Sequence, residues 1–236
     1  MNWSNKNKKN TVFVVPARLG STRLPNKVLK DFAGTTLFDI ALDNLEKIKN
    51  IPRENILIQI RDKELIDKVS KHGFNIFVRS KNSLKEPITL PEVYDWWNAI
   101  NYDYYIRLNV CNPLITPKTI DDFIEKFFEV PKGLFAVLER KTFFFNREGK
   151  LVSKFNGDLK HLSTLETKLV EPLYEAAHTL YAGKCSDIGK NVYMGSFTKP
   201  EDPSFFIIDE SEMGDIDELS QFELYEKIYL QRKESK

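Results

Sequence analysis

Cysteine is nearly missing from this chain. Only Cys111 and Cys185 occur in 236 residues, without CxxC spacing, which excludes a disulfide framework and a four-ligand structural zinc site. A strong charge of either sign is missing too. Lys and Arg number 35 against 34 Asp and Glu, so no global field gathers nucleic acid or an anionic membrane, and recognition of phosphate must come from local clusters. No apolar run is long enough to cross a bilayer, and the polar, basic opening MNWSNKNKKN is not followed by the apolar stretch of a secretory signal. With so few thiols, the expectation is a cytoplasmic protein without nucleic-acid or membrane partners. Internal repeats and low-complexity stretches are also absent, and a chain of this length can bury a core unaided.

What is present is an alternation of β-branched, aromatic segments with amphipathic ones, the pattern of parallel strands joined by crossover helices. Strands are expected at Thr11 to Pro16, Asn55 to Ile60, Phe74 to Val78, Tyr104 to Leu108 and Leu134 to Leu138. Helices are expected at Thr36 to Ile48, Lys63 to Lys71, from Pro91 to about Ile100, from Pro117, and at Glu218 to Leu230. Residues 140–175 break the rhythm with turns at Arg147-Glu148-Gly149 and near Asn156-Gly157, which predicts hairpin-like structure. Strands are expected again at Ala176 to Tyr181 and Asn191 to Ser196, with a frayed end at Gln231 to Lys236. The surplus aromatic area, including Phe144 and Phe145 in an FFF run, is a candidate oligomer interface.

The informative stretch is PARLGSTRLPNKVLK, which places Arg18, Arg23, Lys27 and Lys30 with Gly20, Ser21 and Thr22 just beyond a buried strand. Loops at the carboxyl ends of strands in open α/β sheets collect ligands. There Gly20 permits close backbone approach, Ser21 and Thr22 supply donors, and the cations offset phosphate charge. Lys27 follows Asn26 rather than Gly, so this is not a P-loop, and three spaced glycines are lacking for a dinucleotide fingerprint. From composition alone, a solvated basic turn fits equally well.

Near the other end, Asp215 and Asp217 flank Ile216 in MGDIDELSQFELYEKIY. In an extended segment both carboxylates share one face and suit a hard divalent cation. Capping of the following helix by Asp217, with Asp215 as one more exposed acid, is the competing reading.

V-P-A-R-x-G-S-T-R-L-P-x-K-x-L resembles the signature of the sugar-activating cytidylyltransferases, the group of CMP-sialic acid and CMP-KDO synthetases and spore-coat polysaccharide proteins. The resemblance implies a three-layer α/β/α, Rossmann-like fold of nucleotide-diphospho-sugar transferase type, one domain over residues 1–236 with a dimerisation excursion at 140–175. It implies a homodimer that joins CMP from CTP to an acidic sugar and releases pyrophosphate. Arg18, Ser21 and Lys27 would hold the CTP phosphates, with Arg23 beside them, and Arg18 and Lys27 would steady the departing pyrophosphate. By the same analogy Arg79 and Ser80 would meet the base and ribose. Gly34 resembles the family glycine ahead of the first long helix. D-I-D followed by Q-F-E-L is similar to the family's closing motif, in which Asp215 and Asp217 would hold Mg²⁺, with Gln221 standing where an acid is common. YYIRLNVCNPLIT is similar to the strand ending in LQPTSPL or VQGDEPL, so Asn109 falls at the glutamine that positions the acceptor. Cys111 takes the place of the KDO-type metal aspartate. His178 and Tyr193 lie where sugar and dimer contacts meet. A DxD glycosyltransferase of related fold and a non-catalytic nucleotide-binding or scaffold homologue are the alternative readings; the positions of the basic loop and D-I-D count against the first.

Overall fold

The computed structural model describes residue 3 and residues 5–85, 88–158 and 166–234. Seven strands form one sheet: β1 Thr11–Pro16, β2 Ile56–Ile60, β3 Asn75–Val78, β4 Tyr104–Leu108, β5 Leu134–Arg140, β6 Leu173–Lys184 and β7 Ser204–Ile207. Their order is β3-β2-β1-β4-β6-β5-β7. β1 pairs in parallel with β2 and β4, and β2 with β3. β6 runs antiparallel to both β4 and β5, while β5 and β7 are parallel. Because the chain builds outward from β1 through β2 to β3 and then returns to place β4 on the other side, the connections diverge between β1 and β4. That is the switch point at which open α/β sheets receive ligands.

Helices α1 Leu37–Leu45, α2 Lys63–His72 and α4 Pro117–Glu129 pack with the face of the sheet that carries Phe13, Val15, Ile106 and Leu108. In α4, Phe123, Ile124 and Phe127 recur at helical spacing and are wholly buried, each contributing about 1.5–3 kcal/mol against exposure. Thr36 caps α1 through the Asp39 amide, and Thr116 caps α4 through that of Thr119. The opposite face, with Val12, Val14 and Tyr105, is covered by aromatics around α3 Leu90–Val93 and α5 Cys185–Ile188. Gly34, at φ +76°, closes the turn between Phe32 and Thr35 ahead of α1, a conformation that favours glycine.

The last helix, α6 Leu219–Glu234, returns to the start of the chain. Phe222 meets Phe32 edge to face at 5.1 Å, and Glu226 accepts a hydrogen bond from the Ala33 amide at 2.6 Å. These contacts bring the segment before α6 to the loop after β1. Among the described residues no helix is long and apolar enough to cross a membrane.

Two expectations need correction. The helix expected to reach Ile100 stops at Val93, and turns follow to Ala99. Tyr94 and Trp96 are both buried in one cluster, and residues two apart cannot share a helical face. Asn191 to Ser196 is not a strand: Asn191 sits at φ +59°, and the segment crosses the sheet as a loop that packs Tyr193 and Met194 inward. The edge strand is instead β7, in SFFI. Between β5 and β6, Gly149 at φ +79° turns a small hairpin closed by the Phe145–Leu151 bridge, and Phe155 bridges Val170. Within the expected excursion, residues 159–165 lie outside those described, as do residues 235–236 at the expected frayed end.

Candidate active site

A cavity of about 350 Å³ opens at the carboxyl ends of β1, β3 and β4. Its wall carries Arg18, Arg23, Lys27, Arg79, Lys85 and Arg107 but, among the described residues, a single carboxylate, Asp217. Six cations against one anion make it a receptor for a highly charged anionic ligand.

The loop after β1 has no regular secondary structure, and its shape comes from two buried anchors. Leu24 packs with Phe222 and Ile216 beneath α6, while Val28 enters the main core. Asn26, at φ +56°, turns the chain between them and accepts the amides of Leu29 and Lys30. The Leu19 amide donates to Asp62 at 3.1 Å. Held this way, Arg18, Ser21, Thr22, Arg23 and Lys27 all face the cavity. Gly20 is exposed in the same loop, with open space where a Cβ would stand.

Lys27 is the centre of the polar network. Its buried ammonium donates to the Ile216 carbonyl at 2.5 Å and to Asp217 Oδ1 at 2.9 Å. Burial opposes its charge, yet the Asp217 carboxylate holds its pKa above the ordinary lysine value. Arg23 reaches the other Asp217 oxygen at 2.8 Å. Burial raises the Asp217 carboxyl, but Lys27 and Arg23 outweigh it and leave the pKa lowered. Gln221 Oε1 accepts the amides of Asp217 and Glu218 at 2.8 and 2.9 Å, so the residue three positions on takes the start of α6 in the manner of a capping box.

Asp215 is half-buried beside the cavity. Burial first, then the nearby Asp217 carboxylate, raises its pKa. Asn109 Nδ2 donates to it at 3.0 Å and to the His178 carbonyl at 2.8 Å. That carbonyl is turned toward Asn109 where β6 bulges against β5, with His178 at φ +51°. The His178 ring lies 3.2 Å from the Tyr181 hydroxyl. Burial pushes the Cys111 thiol up, so it stays protonated and is no nucleophile.

Arg79 is buried at the end of β3, donating to Ser83 Oγ at 2.9 Å and to the Ser83 carbonyl at 2.6 Å. Burial and then the charge of Arg18 lower its pKa. Ser80 instead forms the turn: its amide donates to Asp95 at 2.6 Å and its hydroxyl accepts from the Ser83 amide. The structure thus brings Arg18, Ser21, Thr22, Arg23, Lys27, Arg79, Asn109 and Asp217 onto one wall, with Gly20, Ser80, His178 and Asp215 in the layer around it. Sequence reasoning missed Ser83, Lys85, Tyr94 and Arg107, which also line the cavity. The signal for Arg107 was there, a lone charge inside the strand YYIRL.

The two carboxylates also allow a test of the implied cation. Among the described residues no group of three or more His, Cys, Asp or Glu is placed to hold a metal. Asp217 on the cavity wall and Asp215 in the layer beside it are hard oxygen donors of the kind Mg²⁺ takes, with the rest of its shell coming from water and substrate phosphate, and Asp217 would exchange Lys27 or Arg23 for the ion.

The chain is 25% identical over 237 residues to the pseudaminic acid cytidylyltransferase of Campylobacter jejuni serotype O:2, covering 94% of this chain and 97% of that one. It is 31% identical over 124 residues to the spore coat polysaccharide biosynthesis protein SpsF of Bacillus subtilis, spanning half of each chain. In fold it is similar to a CMP:2-keto-3-deoxy-manno-octonic acid synthetase solved with CTP, at a TM-score of 0.66 and 14% identity over 94% of this chain and 99% of that one. The cytidylyltransferase family profile matches residues 12–171, a span that includes β1 with its basic loop, Arg79 and the β4 end, but not Asp215 and Asp217. On the match across that wall of the cavity, this chain belongs to the cytidylyltransferase family.

Proposed function

We propose that the protein transfers CMP from CTP to the hydroxyl of an acidic sugar of the nonulosonic or KDO-like class, releasing pyrophosphate. The observation that carries this reading is the cavity itself: a wall of cations from the first strand's loop facing Asp217, at the sheet's switch point, in a chain of the cytidylyltransferase family. Relatives named as pseudaminic acid and 3-deoxy-manno-octulosonate cytidylyltransferases support the acceptor class.

The chemistry asks little covalent work of the protein, because phosphoryl-type transfer is governed by positioning and by stabilisation of charge. Arg18, Ser21, Thr22 and Lys27 hold the triphosphate, and Arg18 and Lys27 offset the charge that grows on the leaving pyrophosphate. Arg79 is braced by Ser83 and presents a fixed donor toward the nucleotide. Asn109, tied to Asp215 and to the His178 carbonyl, orients the acceptor for in-line attack at the α-phosphorus. Asp215 and Asp217 would hold a divalent cation such as Mg²⁺, which when bound supplies charge neutralisation at the phosphates. The excursion between β5 and β6, with Phe144, Phe145 and Val152 exposed on it, is proposed as the contact surface of a homodimer. The reaction is placed in the cytoplasm, where CTP is available.

Pyrophosphate release tests the reading. CTP with pseudaminic acid or KDO is expected to release pyrophosphate, and UTP, ATP or GTP with the same acids much less. Silence with CTP and every keto-deoxy sugar acid offered would end it.

A further inference from the structure

Arg107 lines the cavity and has no part in the mechanism above. It stands in β4, at the middle of the sheet, paired in register with Val14 on one side and Tyr181 on the other. Its guanidinium lies 5.0 Å from the Tyr181 ring centre and 5.8 Å from that of Tyr94. Tyr94 stacks on Tyr193 at 5.3 Å, so the charge is walled by phenol rings. Its Nε is buried without a hydrogen-bond partner, the Tyr193 and Tyr181 hydroxyls are the polar groups beside the rest of the guanidinium, and among the described residues no carboxylate forms an ion pair with it.

A permanently charged guanidinium inside a sheet, without a counter-ion, is costly. A folded chain retains such a group most readily where a ligand supplies the missing anion. Two neighbours indicate which anion. Asn109, two residues on, continues the ladder through its amide to the Thr179 carbonyl and lines the same cavity. Asn109 leads to Asp215 and His178, and Tyr181 joins Arg107 to the His178 ring. Arg107 therefore belongs to the acceptor side, whereas the cations of the triphosphate lie on the loop after β1.

We propose that Arg107 binds the carboxylate of the acidic sugar and is the residue by which the site selects an acid over a neutral sugar. This rests on the proposed transfer to an acidic acceptor. A planar guanidinium held between rings offers two parallel donors to a carboxylate, and a neutral group there leaves them unpaired.

The test uses the full chain with pseudaminic acid, its neutral methyl ester and CTP. Arg107→Gln is expected to raise the KM for the acid roughly 10- to 100-fold, the weight of a charged hydrogen bond, while the KM for CTP moves less than about threefold. The wild-type preference for acid over ester should collapse in Arg107→Gln and return in part in Arg107→Lys. A rise in the CTP KM with acceptor binding unchanged would overturn the proposal in favour of a nucleotide contact. Equal losses on acid and ester, or an unfolded Arg107→Gln beside a folded Arg107→Lys without acid preference, would overturn it in favour of a structural role. If the wild type turns over no sugar acid, the proposed reaction fails separately. Arg107 is then judged by calorimetric titration with pseudaminic acid: tighter binding to the wild type than to Arg107→Gln supports the assignment, and equal or no binding ends it.

Discussion

Lys27 and Asp217 stand 190 positions apart in the chain and meet at 2.9 Å on the wall of the cavity. The Ile216 carbonyl, on the same ammonium, makes this a clamp between the loop after β1 and the segment before α6. Its partner pair is different in kind, because Arg23 is 61% exposed at the side chain where Lys27 is 11%. Lys27→Met is expected to cost about 2 kcal/mol, the loss of a buried charged hydrogen bond, and so to lower Tm by roughly 4–8 °C. Arg23→Gln, an exposed pair, should move Tm by less than about 2 °C. In pyrophosphate release, kcat/KM for CTP should fall at least roughly 100-fold in the first and less than roughly 10-fold in the second. Equal Tm losses in a melting experiment would show that Lys27 is no clamp.

The Gln221 amide oxygen accepts the Asp217 and Glu218 amides at the start of α6. A carboxylate at that position can accept the same two bonds. Gln221→Glu is therefore expected to keep the melting temperature within about 2 °C, helped by a negative charge at a helix start. Gln221→Ala removes both acceptors, costs about 1 kcal/mol and frees Asp217 to move, so activity falls along with stability. Matched melting curves and rates for the two variants decide it. An inactive but stable Gln221→Glu would show that the amide has a chemical role.

The sheet's first half was legible because its signals are local. TVFVVP and YYIRL are short β-rich runs, and α4 states its face through Phe123, Ile124 and Phe127. The strand at SFFI was hidden because an edge strand beside a parallel partner needs no long apolar run. The family motif made the basic loop and D-I-D readable as one site, while the residues alone left Asp217 open between metal and cap. Its oxygens go to Lys27 and Arg23, and Gln221 serves the helix start, a division that depends on α6 folding back to residues 23–27. Arg107, Tyr94 and Tyr181 come from three separate segments, so no window of sequence shows the cage they form.

Metal dependence gives a third prediction. Asp215 is half-buried, and its pKa is raised by burial and then by Asp217, whose own charge Lys27 and Arg23 already meet, so Asp215 is the carboxylate whose charge a cation would offset. Chelator treatment is expected to abolish pyrophosphate release, and Mg²⁺ to restore it. Asp215→Asn should lower kcat by roughly 1,000-fold or more while CTP still raises the melting temperature, because the phosphate cations remain. Full activity after exhaustive chelation would remove the metal from the proposed reaction.

Acid stability gives a fourth, away from the cavity. Glu46, just beyond α1, accepts two hydrogen bonds from Arg53 at 2.6 and 2.9 Å and lies 3.1 Å from His72 Nδ1. Arg53 is the chief cause of a pKa lowered from 4.5 to about 2, with burial opposing and His72 assisting. Since the folded pKa lies below the unfolded one, the unfolded chain binds more protons between those values. The pair's stabilisation is then complete above about pH 4.5 and is lost as pH falls toward 2. Glu46→Gln should melt below the wild type at pH 6.5, with the gap narrowing at pH 4 and again at pH 3. Because the pair is partly exposed, 1 M salt should shrink the gap at pH 6.5 as well. A gap independent of pH would mean that Glu46 acts through packing, and that the ion pair with Arg53 adds nothing to the joint between α1 and β2.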